Sequence, residues 1–563
     1  MIEFWTRSSD LPMNSVEVST QKSWTTRRER KNRRLQRVAR YCSDRVLDSR
    51  KIIEAMEELV EPGDRICLEG NNQKQADFLS RMLVQVNAER IHDLHLLISV
   101  LGRPEHMDLF ERGIANRVDF SFSGPQAVRL AEMVAKSRIR IGGIHTYLEL
   151  YGRYFIDLTP DVSFIAADCA DKEGNLYTGA NTEETPVIAE GTAFRDGVVV
   201  AQVNEIRDRL PRVDIPGSWV DLIVVADRPY AIEPLFTRDP ASITDVQILM
   251  AMLVIRGVYE RHGVRRLNHG IGFDTAAIEL LLPTYGEALG LRGKICTNWI
   301  LNPHPTLIPA IESGWVESVH CFGGEVGMER YVAARPDIFF TGADGSLRSN
   351  RAFSQMAGLY ATDLFIGSTL QMDGEANSST ATSGRIAGFG GAPNMGSDPR
   401  GRRHATPAWL EMSSGSGEHA RGRKIVVQLV QTFREGMQPS FVQTLDAIAV
   451  GREAGLPVPP IMIYGDDVTH VVTEEGIAYL YRVNSLRERR AAISAIAGVT
   501  ALGAESSHAA TDDLRKRGIV ALPEDLGIRR SDARRSLLAA HSVKELVEWS
   551  GGLYNPPMKF RSW

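Results

Sequence analysis

Short, largely apolar runs without polar alternation recur along this chain, separated by stretches with helical spacing. They include RICL (65–68), LHLLISV (94–100), VDFSF (118–122), IRIGG (139–143), VSFIAA (162–167), VVVAQV (198–203) and DLIVVA (221–226). A strand with one wet face alternates apolar and polar residues, whereas a strand covered on both faces does not. The pattern therefore predicts an α/β unit with a largely parallel sheet from residue 50 to about 235. From about 265 it restarts: VRRLNHGIGFDTAAIELLL repeats the order strand, glycine-containing polar loop, helix. KICTNWI, SVHCFGG, DIFFTG, DLFIGSTLQMD, KIVVQLV, PIMIYG and VTHVVT follow as predicted strands.

The expected fold class is α/β, with two tandem domains of mostly parallel sheet and an active site at their interface, where open parallel sheets bind ligands. The expected divisions are a basic N-terminal arm (1–49), a first domain (50–235), a linker and helix (236–264), a second domain (265–505), and C-terminal helices with a tail (506–563). The linker expectation comes from DRPYAIEPLFTRDP, which carries three prolines in fourteen residues. A length of 563 residues supports two cores better than one.

Composition narrows the functional classes. The formal net charge of −5 gives no general attraction to nucleic acid or an anionic membrane. No apolar run reaches the roughly 18 residues that span a bilayer, and the N-terminus lacks a signal-peptide core, so a cytoplasmic protein is expected. The five cysteines, Cys42, Cys67, Cys169, Cys296 and Cys321, are far apart and form no CxxC pair, which fits buried thiols and no metal site. The opening residues before Met13 have little periodicity and read as an over-called start or a fusion scar. The run from Arg27 to Arg40 crowds basic residues onto one helix; it reads as a solvated or docking face, with a phosphate-rich or acidic partner as the alternative.

Two junctions place polar groups where a helix N-terminus presents unpaired N–H groups: LEGNNQ, with Gly70, Asn71, Asn72 and Gln73, and LNHGIG. A long stretch from Ser378 to Trp409 is rich in small residues and contains Gly388, Gly390, Gly391, Asn394, Arg400, Arg402, Arg403 and His404. Loops of that length without periodicity tend to be functional or disordered, and glycine lets the backbone approach a ligand. ADCADKEGN, after VSFI, is a tight-turn sequence.

Together these segments resemble the CoA transferases. VSFIAADCADKEGN resembles the family's strand, acidic turn and Gly-Asn. GFGGAPN resembles its glycine-rich loop, and VVTEEGIAYL (471–480) its VVTE-x-G-[VI]-A signature. LEGNNQKQADFL and GGAPNMGSDPRGRRH resemble, more closely, the α subunits of biotin-independent malonate decarboxylase, over nearly the whole chain from about Trp24. The resemblance implies two CoA-transferase-like domains and exchange of the acyl group on a carrier-protein thioester: acetyl-S-ACP plus malonate gives malonyl-S-ACP plus acetate. It implies as partners malonate, acetate, an acyl carrier protein and the decarboxylase β and γ subunits, with a self-dimer also open and neither nucleic acid nor membrane. It implies no cofactor bound to this chain; the phosphoribosyl-dephospho-CoA arm belongs to the carrier. An ordinary CoA transferase, a citrate lyase α-like transferase and a sugar-phosphate sensor are the competing readings.

One departure bears on mechanism. Many CoA transferases use a glutamate nucleophile within H-[ST]-E-[ML] after a second-domain strand. Here KICTNWILNPHPTLIPAIESGW aligns with that region and puts Asn298 at the glutamate's place. An amide is a poor nucleophile at neutral pH, so direct attack by the malonate carboxylate on the acetyl thioester, through a mixed anhydride, is expected. Asn298 with Gly390 and Gly391 is expected to bracket the thioester, and Gly70, Asn71, Asn72, Gln73, Asn394 and Arg400 to bind substrate. Neutral amides in that role add no competing carboxylate. Glu325, in HCFGGEVGM, is the alternative nucleophile, and Arg402 and Arg403 compete with Arg400 for malonate's distal carboxylate.

Overall fold

A computed structural model describes residues 23–71, 74–230, 232–399, 423–561 and 563. The first sheet runs in the order Cys42–Ser43, Val46–Leu47, Leu222–Val225, Val198–Ile206, Val162–Ala170, Arg65–Leu68, Leu94–Val100, Ala115–Phe122, Arg140–Ile144. Its pairings are parallel from Val46–Leu47 onward, with antiparallel hairpins only at Cys42–Leu47 and at Cys169–Tyr177. All seven residues of Leu94–Val100 are buried, as expected for a strand covered on both faces.

The second sheet has the order Ser318–His320, Asn298–Ile300, Arg266–His269, Leu364–Ser368, Ile425–Leu429, His470–Val472, Ile477–Tyr479, Val520–Ala521. It is parallel as far as His470–Val472 and ends in two antiparallel strands. In each sheet the strand that feeds the glycine-containing junction, Arg65–Leu68 or Arg266–His269, has later strands on both sides. Such a topological switch point opens a crevice at the carboxyl ends of the strands.

The structure shifts several expected boundaries. Residues 42–47, assigned to the arm, supply two strands of the first sheet, and Val520–Ala521, assigned to the tail, pairs with Ile477–Ala478 in the second. DIFFTG and PIMIYG are not strands; each makes only isolated bridges, at Phe339 and at Ile463. Pro459 and Pro460 lack the N–H that a ladder needs, which accounts for the second case.

The basic helix Ser23–Val38 folds back onto its own domain. Arg34 lies 2.7 Å from Asp64 and 2.9 Å from Glu61, Arg30 reaches both of those carboxylates, and Lys31 lies 2.9 Å from Asp221. These cations neutralise carboxylates of the same chain. Among the described residues no helix is long and apolar enough to cross a membrane.

Candidate active site between the two sheets

A cavity of about 340 Å³ lies at the carboxyl ends of the second sheet. Four strands lead into it: Asn268, His269 and Gly270 end one, Leu301, Asn302 and His304 follow the next, Gly367 and Ser368 end the third, and Gln428 comes from the fourth. Phe122 and Tyr147 of the first half close the opposite side, and Leu235, Phe236 and Arg238 form a further wall. The glycine loop Gly388–Ala392 completes the lining.

The loop is tied to the first sheet. Phe389 and Gly390 donate their N–H groups to the Ser121 carbonyl at 2.7 and 2.9 Å, and Ser123 donates to the Ala387 carbonyl at 2.9 Å. Gly388 has φ +76°, and a Cβ there would lie 2.4 Å from the Ser121 oxygen. Glycine is thus required by both conformation and contact.

Polar groups around the cavity fall into two sets. The first is a buried network centred on Glu279, which receives His269 Nδ1 at 3.0 Å, His304 Nδ1 at 2.9 Å and Thr306 Oγ1 at 2.5 Å. Burial opposes its charge, but the two imidazoles outweigh burial and hold the carboxyl below its ordinary range. His269 Nε2 meets the Tyr259 hydroxyl at 2.8 Å, supplied by the π-helical turn Ile255–Glu260. His304 stacks on Phe236 with centroids 5.2 Å apart. Fixing Nδ1 in this way leaves Nε2 as the nitrogen that can serve a reactant.

The second set is amide and guanidinium. Asn302 donates Nδ2 to the Gly324 carbonyl at 3.0 Å, while its Oδ1 is buried with no hydrogen-bond partner among the described residues, as is Oε1 of Gln428. Buried polar atoms of this kind at a cavity wall are natural ligand contacts. Arg351 places Nε and Nη2 at 3.0 and 2.5 Å from Glu183 Oε2 and lies over the Tyr147 ring. Burial disfavours its charge, yet Glu183 more than compensates and raises the guanidinium's pKa. Among the described residues lining the cavity there is no aspartate, glutamate or cysteine.

The sequence-predicted residues separate accordingly. Gly390 and Gly391 line the cavity, but the Gly390 N–H is engaged with Ser121, which leaves Gly391 as the candidate oxyanion donor of the pair. Asn298 does not line it. It begins its strand, at the end remote from the cavity, and its Nδ2 donates to Ser318 Oγ at 2.9 Å. The asparagine that lines the cavity is Asn302, beyond the strand's carboxyl end and four positions later. Asn394 is also displaced from the cavity lining, its amide spent on Thr146 Oγ1 and, at 3.2 Å, on Gln355 Oε1.

The first junction is structural where it is described. Gly70 bridges to Gln75, and a Cβ there would stand 2.4 Å from Ile98 Cδ1, so close packing requires the glycine. Asn71 is buried and is not among the residues lining the cavity. Glu69 anchors the turn, accepting from Ala166 N at 2.7 Å and Thr185 Oγ1 at 2.6 Å with Lys74 Nζ at 3.4 Å. Asn72, Gln73, Arg400, Arg402, Arg403 and His404 lie outside the described residues. Glu325, the alternative nucleophile, does not line this cavity. Its carboxylate accepts from Leu235 N at 3.2 Å, Thr237 N at 2.9 Å and Thr237 Oγ1 at 2.8 Å, and so pins the wall instead.

Four site residues escaped the sequence reading: Asn302, His304, Gln428 and Arg238. Asn302 and His304 stand in the same stretch as Asn298, and finding them needed only the strand's true end. Gln428 lies inside an apolar run, and Arg238 in a segment read as a linker.

The family model described as "Malonate decarboxylase, alpha subunit, transporter" matches residues 23–563. An acetyl-S-ACP:malonate ACP transferase of Malonomonas rubra is 58% identical over 529 residues, covering 92% of this chain and 96% of the relative. The crystal structure of a Pseudomonas malonate decarboxylase hetero-tetramer in complex with malonate contains a chain 62% identical, with a TM-score of 0.95 over 96% of this chain and 100% of that one. The α subunit of citrate lyase from Streptococcus mutans, whose structure holds citrate, shares the fold at 16% identity, with a TM-score of 0.57 over 91% of this chain and 87% of that one. Matched along nearly its whole length, this chain belongs to the malonate decarboxylase α-subunit family.

Proposed function

We propose that this chain is an acyl-carrier-protein transferase that exchanges acetate for malonate: acetyl-S-ACP plus malonate gives malonyl-S-ACP plus acetate. Identity of 58% to a protein of that name, over nearly the full length of both, supports the overall reaction. The carrier's phosphoribosyl-dephospho-CoA arm would enter as substrate, and the chain would work with carrier and decarboxylase subunits, as its Pseudomonas relative stands in a hetero-tetramer.

The observation that carries the mechanism is a domain-interface cavity without a lining carboxylate or thiol among the described residues. With no carboxylate or thiol of the described residues lining it, a malonate carboxylate oxygen attacks the acetyl carbonyl carbon, and the carrier thiolate leaves. The thiolate then attacks the malonyl carbonyl of the mixed anhydride and expels acetate, which keeps the bridging oxygen. The protein's share is positioning and charge. Well-oriented reactants gain effective molarities of about 10⁵ M or more. Gly391 N–H is placed to contact the reacting carbonyl, while Nε2 of the Glu279-held His304, Asn302 Oδ1 and Gln428 Oε1 can accept from N–H groups of the arm.

A single turnover with ¹⁸O-labelled malonate tests this route. Acetate from the first turnover carries one ¹⁸O if malonate attacks directly. Unlabelled first-turnover acetate means that an enzyme carboxylate supplied the oxygen. Running the assay from acetyl-S-ACP and from acetyl-CoA tests the substrate, and a strong preference for free CoA rejects the carrier-specific reading.

A further inference from the structure

The geometry points to Arg238 as the binding site for the second, non-reacting carboxylate of the acceptor acid, and hence as the residue that selects a diacid over a monoacid. This rests on the transferase reading above and deepens it. Among the described residues two arginines line the cavity, and their surroundings differ. Arg351 is neutralised by Glu183 at 2.5 Å. Arg238 has no described carboxylate within ion-pair distance; its Nη1 donates to the Leu235 and Thr237 carbonyls at 2.8 and 2.9 Å. Those bonds curl the guanidinium against its own segment and leave its charge without an ion-pair partner among the described residues. The two carboxylates that influence it electrostatically, Glu325 and Glu279, are both committed elsewhere.

The segment bearing Arg238 is rigidly held. Glu325 takes three donors from Leu235 and Thr237, and the Thr237 hydroxyl also meets the Tyr554 hydroxyl of the C-terminal tail at 3.1 Å. Arg238 also lies against Phe273, 5.7 Å from its ring centroid. A part-buried arginine without an acidic partner is unusual in a folded protein, and burial lowers the pKa of this one. A carboxylate is its natural complement, because the guanidinium fork matches two oxygens. Acetate and malonate share the reacting carboxylate and differ in the second. A cation at the cavity wall therefore adds affinity for malonate alone.

The test is calorimetry on the full chain with malonate, acetate and malonamate, the monoamide that lacks the distal charge. Wild type is expected to bind malonate about 10-fold or more tighter than malonamate. Arg238→Gln is expected to remove that difference while leaving acetate binding within about 2-fold, and Arg238→Lys to restore part of it. Equal wild-type affinity for malonate and malonamate overturns the assignment even if the variants fail to fold. So does an Arg238→Gln variant that still discriminates, or one that loses all three ligands alike. Transfer from acetyl-S-ACP to malonate, measured on wild type alone, reports separately on the overall reaction.

Discussion

Arg351 Nε lies 3.0 Å from Glu183 Oε2, an ion pair that joins the second half of the chain to the first at the edge of the cavity. Both side chains are almost wholly excluded from solvent. Removing one partner of such a pair strands the other's charge, at a cost of about 3–5 kcal/mol. Glu183→Gln is expected to lose stability in that range by denaturant unfolding. The double substitution with Arg351→Met should lose less than the sum of the single ones. Strict additivity would mean that the two groups do not act as a pair.

Asn302 and Asn298 give a direct contrast, since they differ by four positions on one strand and its extension. Asn302→Ala is expected to lower kcat/KM by about 10-fold or more, since it removes a buried polar contact to a reactant. Asn298→Ala should stay within about 2-fold, because its amide bonds to Ser318 and Thr297 and does not line the cavity. The opposite ranking would restore the original alignment.

His304 is held at Nδ1 by Glu279 and offers Nε2 to the cavity's reactants. His304→Ala is expected to reduce kcat by about 10-fold, the scale of losing one buried hydrogen bond to a bound reactant. Glu279→Gln should follow in the same direction. A His304→Ala enzyme of normal kcat would remove the imidazole from the chemistry.

The glycine loop predicts an order of sensitivity. Gly388→Ala forces a left-handed backbone and a contact 2.4 Å from Ser121 O, so the loop must move and transfer should fall steeply. Gly390 has φ +58° but meets nothing nearer than 3.6 Å, so Gly390→Ala should cost only about 1–2 kcal/mol of backbone strain. Transfer rates and thermal unfolding of the two variants check this ranking.

His106 supplies a pH dependence. Burial pushes its pKa from 6.5 to about 3. The folded-state value lies below the unfolded one, so the folded protein prefers the neutral ring. That contribution is fully present above pH 6.5 and is lost as pH falls toward 3. Below pH 6 the wild type should lose about 1.4 kcal/mol per pH unit relative to His106→Gln. Parallel stability curves for the two proteins between pH 7 and 4 would contradict this.

The sequence by itself determined the two α/β halves, because largely apolar strands without alternation and glycine-bearing strand-to-helix turns are local consequences of covering a sheet on both faces. It also showed that no glutamate stands in the expected nucleophile motif, and it singled out the Gly388–Gly391 loop. Only the tertiary structure decided which residues face the ligand. Where a strand ends is set by pairing with its neighbours, so Asn302 could not be told from Asn298 by spacing. Arg238 reads as part of a proline-rich connector until Glu325, 87 positions away in the numbering of the chain, fastens that connector to the cavity wall. Gln428 hides in an apolar run because period-two patterning does not reveal which end of a buried strand carries function. The basic helix shows the same limit: its arginines invited an acidic partner, and the carboxylates that meet them among the described residues are Glu61, Asp64, Asp161 and Asp196 of the same chain.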